Sequence, residues 1–463
     1  MKKNINRIAF FNTLSVLLLQ GISLISAPLF SRLLGTDGYG NLASFTVWAN
    51  TMTTVLSLQS NVTIVNARQE FPEEEQSAYQ SSVMALSMLC FAAAGIVMMV
   101  FSGPLSQALK MNRMLIALML VYAFGAFCLN FLGSKFTYEF KADKNMLLSV
   151  FMAVANLGVS LLLVLNMPQE QRYFGRVLGA VVTSGGVGLI GCIWILCRGK
   201  TFYNANYWKF CFMLGWPLAC QGLAYSLLSN SDIMMLRQMA DASSAGIYSY
   251  AMNLATVMFL LYNALNSTWV PFFYDDMKRG MREDVARRGK NYVELYTVLC
   301  VGFILLVREV YHIYADESFW SGIEVIPFFV ASYFANTLCT FPVNYEMHHK
   351  KTGAVTIGTV SAALINIGLN YLMIRVWGML GAAAATLIAH CIQLALHELY
   401  SRCILGKGSY PFQLKTGLLA TAALVASAVL FYLAPNAWFI RWPLAAAVGV
   451  WELMRIVRRK SLL

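Results

Sequence analysis

The sequence predicts an all-α polytopic membrane protein with about fourteen transmembrane helices. Of its 463 residues, 58% are hydrophobic and only 12% are charged, and the mean hydropathy is +0.60. Soluble chains of average composition carry about 25% charged residues, so this chain has too little charge to cover a soluble globule of its length. A spanning helix needs about 20 mostly apolar residues, and the chain contains fourteen runs of that kind.

The fourteen segments follow one another with short connections. Because an equally long second segment comes directly after the first, we do not expect the first to be a cleaved signal peptide. The longest connection is predicted to be a charged loop from Tyr274 to Lys290. The approximate predicted spans are residues 8–33, 41–66, 78–101, 113–138, 146–166, 173–197, 209–237, 247–272, 291–313, 322–346, 353–376, 379–402, 413–434 and 438–457.

The basic residues orient these predicted helices. An even number of spans puts both termini on the same side of the membrane. If that side is the cytoplasm, roughly three quarters of the 34 Lys and Arg residues fall in cytoplasmic segments, in agreement with the positive-inside rule. The net charge of +12 is therefore interpreted as a topology signal, and no nucleic-acid partner is expected.

The ten cysteines are dispersed through apolar runs, with no CxxC pair and no histidine at metal-ligand spacing. Cysteines in such positions behave as small buried apolar residues rather than as a disulfide framework or a metal site. The sequence therefore predicts no metal and no cofactor.

An internal similarity divides the chain. The segment LLGTDGYGNLASFTV at 33–47 follows the first predicted helix, and MADASSAGIYSYAMNLATV at 239–257 follows the seventh. Each is a turn of small residues that enters the next helix through a tyrosine, Tyr39 or Tyr248. Repeated bundles are common in transporters. We predict an N-lobe of helices 1–6 (residues 1–200), a C-lobe of helices 7–12 (residues 201–405) and two further helices (residues 406–463).

Polar residues form stripes on predicted helices one, two, seven and eight. At 100° per residue, Asn50, Thr54, Ser57 and Asn61 fall within about 60° of one another. Ser, Thr and Asn often hold membrane helices together, but stripes on equivalent helices of both lobes favour a shared polar cavity. The candidate cavity residues on the stripes are Asn50, Thr54, Ser57, Asn61, Gln221, Tyr225, Asp232, Asn253 and Asn263.

Asp232 is the most prominent charge within a predicted span. An ionisable side chain at the bilayer centre costs at least ~2.5–3.5 kcal/mol unless it is paired or hydrated. Asp232 lies five residues before Arg237 and on the stripe of helix seven. It is therefore a candidate site for a coupling cation or proton, or else a counter-ion to Arg237.

Other charges lie near the ends of the predicted spans. Arg32 and Arg176 are positioned to extend toward lipid headgroups, although an arginine that faces the cavity could bind a phosphate with two hydrogen bonds. Lys135 and Glu139 are spaced i,i+4 on one helix, which favours a structural ion pair over a proton relay.

Three motifs carry a family resemblance. They are SAPLFSRLLGTDGYGNLASF (26–45), SNSDIMMLRQMADASSAGIYSYAMNLA (229–255) and WGMLGAAAATLIAH (377–390). Together with fourteen spans and four polar stripes, they resemble the polysaccharide-transporter branch of the multidrug/oligosaccharidyl-lipid/polysaccharide (MOP) exporter superfamily, the Wzx-type O-antigen and capsule flippases.

This resemblance implies a MATE-like bundle of two six-helix lobes plus two C-terminal helices, open alternately to each side of the bacterial cytoplasmic (inner) membrane. Its cargo would be an undecaprenyl-pyrophosphate-linked oligosaccharide, its coupling ion a proton or sodium, and its other partners membrane lipids and the glycan polymerase machinery. By motif match, Arg32 and Asp232 are the first positions expected in the site. The lipid II flippases carry a dense arginine cluster in helices one and two, and its absence here argues against a peptidoglycan precursor as cargo.

Two alternatives remain at this stage. A cation-coupled multidrug antiporter of the same superfamily would usually have twelve spans, so the two extra helices favour polysaccharide. An integral membrane glycan polymerase would usually present a long extracytoplasmic loop, which the predicted topology does not contain. An acyltransferase would need an intramembrane histidine as base, for which His390 and His397 are the candidates.

Overall fold

The computed structural model of the chain describes residues 5–406 and 410–459. Within these ranges every regular element is a helix and no strand occurs, which confirms the predicted all-α class. The chain forms two compact units, Met1–Gly246 and Ile247–Leu463. The lobe boundaries expected after residues 200 and 405 remain a prediction.

The first unit is built, in its described part, from helices whose long apolar runs satisfy their backbone hydrogen bonds internally, as a lipid environment requires. The last of them, α8, packs against the first three long helices of the unit, α1, α2 and α3. The helices are α1 (Ile5–Leu56), α2 (Ser60–Glu70), α3 (Gln76–Val100), α4 (Ser102–Leu109), α5 (Arg113–Tyr138), α6 (Ala142–Leu165), α7 (Arg172–Gly199) and α8 (Ala205–Met239).

The second unit contains the remaining helices. The first of them, α9 (Ala242–Lys278), begins at Ala242, whereas the unit begins at Ile247. Here α11 and α12 pack against each other, and α13 and α14 both pack against α10. A π-helical segment, Tyr400–Gly406, continues the end of α12. The helices are α9 (Ala242–Lys278), α10 (Arg282–Tyr314), α11 (Ile326–His348), α12 (Thr352–Leu399), α13 (Leu414–Leu433) and α14 (Trp438–Arg459).

Two pairs of predicted spans are joined through a glycine instead of a loop. Inside α1, Gly35 has a φ of 67°, and inside α12, Gly378 has a φ of 54°. Glycine adopts this left-handed region without a Cβ clash. Among the described residues, ten helices are long and apolar enough to cross a membrane, and two of them, with 53 and 54 residues, have the length of two crossings each. The number of fourteen spans remains a prediction.

The second predicted span, 41–66, is interrupted. After α1 ends at Leu56, Leu58 and Gln59 both have a φ of 49°, and the chain becomes helical again at Ser60. Residues other than glycine in this left-handed region cost of order 1–3 kcal/mol each, so the surrounding structure must hold them there.

The prediction of a charged loop from Tyr274 to Lys290 is wrong, because α9 continues to Lys278 and α10 begins at Arg282.

Gly215 of α8 supports this interruption by close backbone contact. A Cβ placed on Gly215 would lie 2.1 Å from the carbonyl oxygen of Leu58. Gly215→Ala is therefore expected to lower the free energy of unfolding by about 1–3 kcal/mol, as overpacking does elsewhere. The measurement is the unfolding midpoint in detergent. Gly158→Ala, on α6 with nothing within 4 Å of the added Cβ, is the matched control, and equal midpoints for both variants would contradict the prediction.

Candidate functional site in the first unit

The polar stripes of α1 and α8 lie side by side within the first unit. The Thr51 and Ser226 hydroxyl oxygens are 3.1 Å apart, and a Cβ on Gly222 would lie 2.7 Å from the Thr54 Cγ2 atom. The two helices therefore approach each other closely at their stripes, because small residues occupy the contact.

Part of this surface consists of exposed polar side chains. Asn50 on α1 and Gln221 on α8 are exposed, and Tyr225 is 52% exposed. Thr54 is half-buried, and its hydroxyl donates to the Asn50 carbonyl oxygen at 3.0 Å, as threonine commonly does inside a helix. The surface defined by Asn50, Thr54, Gln221 and Tyr225 is called the α1/α8 polar face below. It offers amide and phenol groups for hydrogen bonding within helices of spanning length.

Ser57 and Asn61 have other surroundings. Ser57 is 2% exposed; its hydroxyl donates to the Thr54 carbonyl oxygen at 3.3 Å and accepts from the Gln59 N–H at 3.1 Å. Ser57 thus satisfies backbone groups at the interruption. Asn61 is half-buried in α2, beyond the left-handed residues, so the stripe angles calculated for a continuous helix do not apply to it.

Asp232 and Arg237 occupy the last turns of α8. Asp232 is 2% exposed. The Arg237 Nε donates to the Asn41 Oδ1 at 3.0 Å, and an Nη donates to the Lys110 carbonyl oxygen at 3.5 Å. Arg237 therefore connects α8 to α1 and to the chain after α4. Whether Asp232 binds a coupling ion remains a prediction.

The remaining predicted site residues lie in different places. Arg32 is exposed, near the Gly35 bend of α1. Asn253 and Asn263 are exposed on α9, in the second unit. The structure thus groups α1 and α8 residues within one unit, and the involvement of Asn253 and Asn263 remains a prediction.

A half-buried arginine, Arg176, lies at the start of α7. The Arg176 Nη1 donates to Asn156 Oδ1 at 2.5 Å and to Ser160 Oγ at 2.7 Å, and its guanidinium carbon lies 4.5 Å from the Phe30 ring centroid. Within residues 5–406 and 410–459, no carboxylate pairs with it and its buried Nε has no hydrogen-bond partner. Buried charges are normally paired, so this guanidinium is a candidate anion ligand.

Arg172, one turn earlier, extends this group. Its Nη1 donates to the Leu33 carbonyl oxygen at 3.4 Å, and its buried Nε has no partner in the described part of the chain. Both arginines therefore contact the part of α1 just before the Gly35 bend, which carries Arg32. Arg172 was not predicted from the sequence, and Arg176 was expected either to extend toward lipid headgroups or, if it faced the cavity, to bind a phosphate. The i,i+4 spacing of two arginines at a helix start was the available signal.

Two other predictions concern structural groups. Lys135 and Glu139 form the predicted ion pair at 3.0 Å, with Lys135 3% exposed. Among the described residues, no group of three or more His, Cys, Asp and Glu side chains could hold a metal ion. The ten cysteines are free, and half of them are buried.

A family model for "Polysaccharide biosynthesis protein" matches residues 6–276, more than half of the chain. The chain belongs to this polysaccharide biosynthesis protein family. The match confirms the family resemblance and contains the first two of the three sequence motifs. It covers the first unit from residue 6 onward, including the α1/α8 polar face and the α7 arginines. No curated protein sequence matches this polysaccharide biosynthesis protein significantly.

Solved structures share the fold of this polysaccharide biosynthesis protein. The lipid II flippase MurJ, in an inward closed conformation, aligns with a TM-score of 0.72 at 15% identity over 98% of this chain and 99% of that chain. An inward-facing MATE multidrug transporter of the MOP superfamily gives 0.63 at 13% identity, over 84% and 96%. A mutant of the Vibrio cholerae MATE transporter VcmN gives 0.54 at 14% identity, over 89% and 99%.

These solved structures are those of a lipid flippase and of MATE transporters. The chain shares their fold, and the described residues form several helices long and apolar enough to cross a membrane, as in a multi-pass membrane protein.

Proposed function

We propose that the protein translocates an undecaprenyl-pyrophosphate-linked oligosaccharide, the repeat unit of an O-antigen, capsule or exopolysaccharide, across the bacterial cytoplasmic membrane. In this proposal both termini lie in the cytoplasm, access alternates between the two leaflets, and an ion gradient drives the cycle. The cargo has three parts with different needs: a sugar that must hydrogen-bond, a diphosphate that must meet cations, and a lipid tail that can stay in the bilayer.

The α1/α8 polar face is the observation that carries the proposal. Asn50, Gln221 and Tyr225 are exposed on helices otherwise apolar enough to span a membrane. Exposed amides against hydrocarbon would be unfavourable, since each unsatisfied polar group costs several kcal/mol there. Amide and phenol groups at these positions are suited to sugar hydroxyls, which both donate and accept hydrogen bonds.

Arginines supply the cations for the diphosphate in this proposal. Arg176 and Arg172 have no carboxylate partner in the described part of the chain, and Arg32 is exposed on the same part of α1 that they contact. Arginine binds phosphate oxygens with two parallel charge-assisted hydrogen bonds. We assign these three residues to the diphosphate, Asp232 with Arg237 as counter-ion to the coupling ion, and Asn253 and Asn263 to the sugar.

A cation-coupled multidrug antiporter is the second candidate, because MATE transporters share the fold. The lipid flippase aligns with a TM-score of 0.72 and the inward-facing MATE transporter with 0.63, and the family is named for polysaccharide biosynthesis. These observations favour a lipid-linked glycan. Extrusion of drugs by cells that overproduce the protein, without any effect on surface glycan, would reverse this preference.

The double variant Asn50→Leu/Gln221→Leu tests the polar face. Loss of two hydrogen bonds worth about 0.5–1.5 kcal/mol each predicts a decrease in surface glycan of roughly ten-fold in a deletion strain that carries the variant. Leucine favours membrane insertion, so the protein level should be maintained. Surface glycan is measured by immunoblot against the same cells' membrane content of the protein.

Gln107→Leu, an exposed glutamine on α4, is the matched control and should leave surface glycan unchanged. Equal glycan levels in the wild type and the double variant would rule out the α1/α8 polar face as a sugar-binding surface. Accumulation of lipid-linked oligosaccharide on the cytoplasmic side of the deletion strain is the direct test of the translocation step.

A further inference from the structure

A buried acid–base pair lies in the second unit, between two residues that are not assigned to the proposed glycan site. Glu346 near the end of α11 is 0% exposed, and His397 near the end of α12 is 2% exposed. The His397 Nδ1 is 2.9 Å from one Glu346 carboxylate oxygen and 3.0 Å from the other. Residues 51 positions apart are thus brought together by the packing of α11 against α12.

The surroundings hold the pair in place without neutralising it. The Ser401 hydroxyl lies 3.3 Å from both the Glu346 Oε1 and the Pro342 carbonyl oxygen. The His397 Nε2 is buried and has no hydrogen-bond partner in the described part of the chain. This nitrogen faces Gly358, in the first half of α12, and a Cβ added to Gly358 would lie 2.3 Å from it. The absence of a side chain at Gly358 leaves room for the imidazole.

The charged side chains Glu398 and Arg402 near this pair form an ion pair with each other. Glu398 accepts from the Arg402 Nε at 2.5 Å and from the Tyr410 hydroxyl at 3.2 Å. On α11, Cys339 is buried, and on the turn after it Lys351 is exposed. Within the described residues, no lysine or arginine forms an ion pair with Glu346, whose ion-pair partner is His397.

One proton therefore decides the charge of this site. With one proton, the pair is neutral overall, and the proton lies in the hydrogen bond between Nδ1 and the carboxylate. Without it, a carboxylate remains beside a neutral imidazole, and the buried site carries a net negative charge, which costs several kcal/mol. Exchange of this proton therefore requires a conformation that admits water to the pair.

We propose that Glu346 and His397 form a further proton-binding site of this transporter, in addition to Asp232, and that this site takes part in coupling transport to the proton gradient. The inference rests on the proposed function for its role in glycan transport. In the cycle, opening of the site transfers the shared proton to water on one side of the membrane. A proton taken up from the other side then restores the neutral, closed pair.

The first test measures coupling in proteoliposomes with an imposed pH gradient, where a pH-sensitive dye in the lumen reports proton movement and glycan translocation is followed in parallel. Glu346→Gln keeps the size and hydrogen-bonding shape of the side chain but cannot exchange a proton. We expect Glu346→Gln and His397→Gln to lose the stimulation of glycan transport by the gradient, by at least roughly ten-fold. Undiminished stimulation in Glu346→Gln would overturn the proposal.

His390→Gln is the matched control, since His390 lies on the same helix two turns before His397 and its buried Nδ1 has no partner in the described part of the chain. It should retain the stimulation. If either single variant fails to reach the membrane, the neutral double variant Glu346→Gln/His397→Gln replaces it, because it leaves no buried charge.

The second test does not depend on glycan transport. The chain has five histidines, so imidazole ¹⁵N resonances of histidine-labelled protein in lipid nanodiscs can be followed during a pH titration. We expect the His397 resonance, identified by its loss in His397→Gln, to change its titration midpoint in Glu346→Gln but not in His390→Gln. An unchanged midpoint would overturn the proton site. If the titration behaves as expected and the wild type moves no glycan, the proposed function fails and the proton site stands.

Discussion

Asp232→Asn and Arg32→Ala are each expected to abolish surface polysaccharide while the protein remains in the membrane. Asp232 is 2% exposed within α8, and an ionisable group within a span costs at least ~2.5–3.5 kcal/mol unless it is paired or hydrated. Asparagine has nearly the same shape but can neither exchange a proton nor balance a cation. Alanine at Arg32 removes an exposed cation from the part of α1 that Arg172 and Arg176 contact.

The measurement is surface glycan in a deletion strain, normalised to the variant's level in isolated membranes. Asp37→Asn and Arg375→Ala are the matched controls, because both replace exposed charges outside the proposed site; they should display normal glycan. Normal display in both test variants would remove Asp232 and Arg32 from the mechanism.

Arg176→Met is expected to decrease glycan translocation by roughly ten-fold or more while the free energy of unfolding stays the same or rises. A hydrogen bond to a charged group is worth about 1.5–3 kcal/mol, so one lost phosphate contact accounts for the decrease. Stability should not fall, because no described carboxylate balances this guanidinium and replacing a buried charge by an apolar side chain of similar length is often neutral or stabilising.

Arg441→Met is the contrasting control. Arg441 is 0% exposed and forms an ion pair with Glu309. Its removal leaves the Glu309 carboxylate without this partner and should cost about 3–5 kcal/mol of stability. Unfolding midpoints in detergent and glycan translocation in proteoliposomes give the two readings for each variant. A large loss of stability in Arg176→Met with normal translocation per folded molecule would make Arg176 a structural residue.

Hydropathy was sufficient to locate the helices. The predicted span 113–138 coincides with α5, and all fourteen predicted segments are helical over most of their length. This succeeds because lipid leaves a spanning segment few alternatives to a helix. The interruption after Leu56 was missed because Ser57 and its neighbours are ordinary residues in a helix, and the close approach of Gly215 to Leu58 comes from a different helix, α8.

The residues of the candidate site could be predicted from the sequence only in part, because contacts between different helices leave no local sequence pattern. Helical periodicity identified the stripes of α1 and α8, and the structure brings the two helices into contact beside Thr54 of the α1 stripe. It could not pair Glu346 with His397, because no local pattern relates positions on two different helices. For Arg176 the sequence left both a headgroup position and a phosphate-binding position open, and the contacts with Asn156 and Ser160 place its guanidinium inside the first unit.

The bends at Gly35 and Gly378 have a mechanical consequence. A flexible loop of several residues absorbs a movement of one helix, because each residue has two soft dihedral angles. A single glycine between residues 5–34 and 36–56 of α1 offers only its own pair of angles. A tilt of the first half of α1 must therefore displace the second half, which carries Asn50 and Thr54. In α12 the bend at Gly378 couples the two halves in the same way: the first half carries Gly358 and the second carries His397.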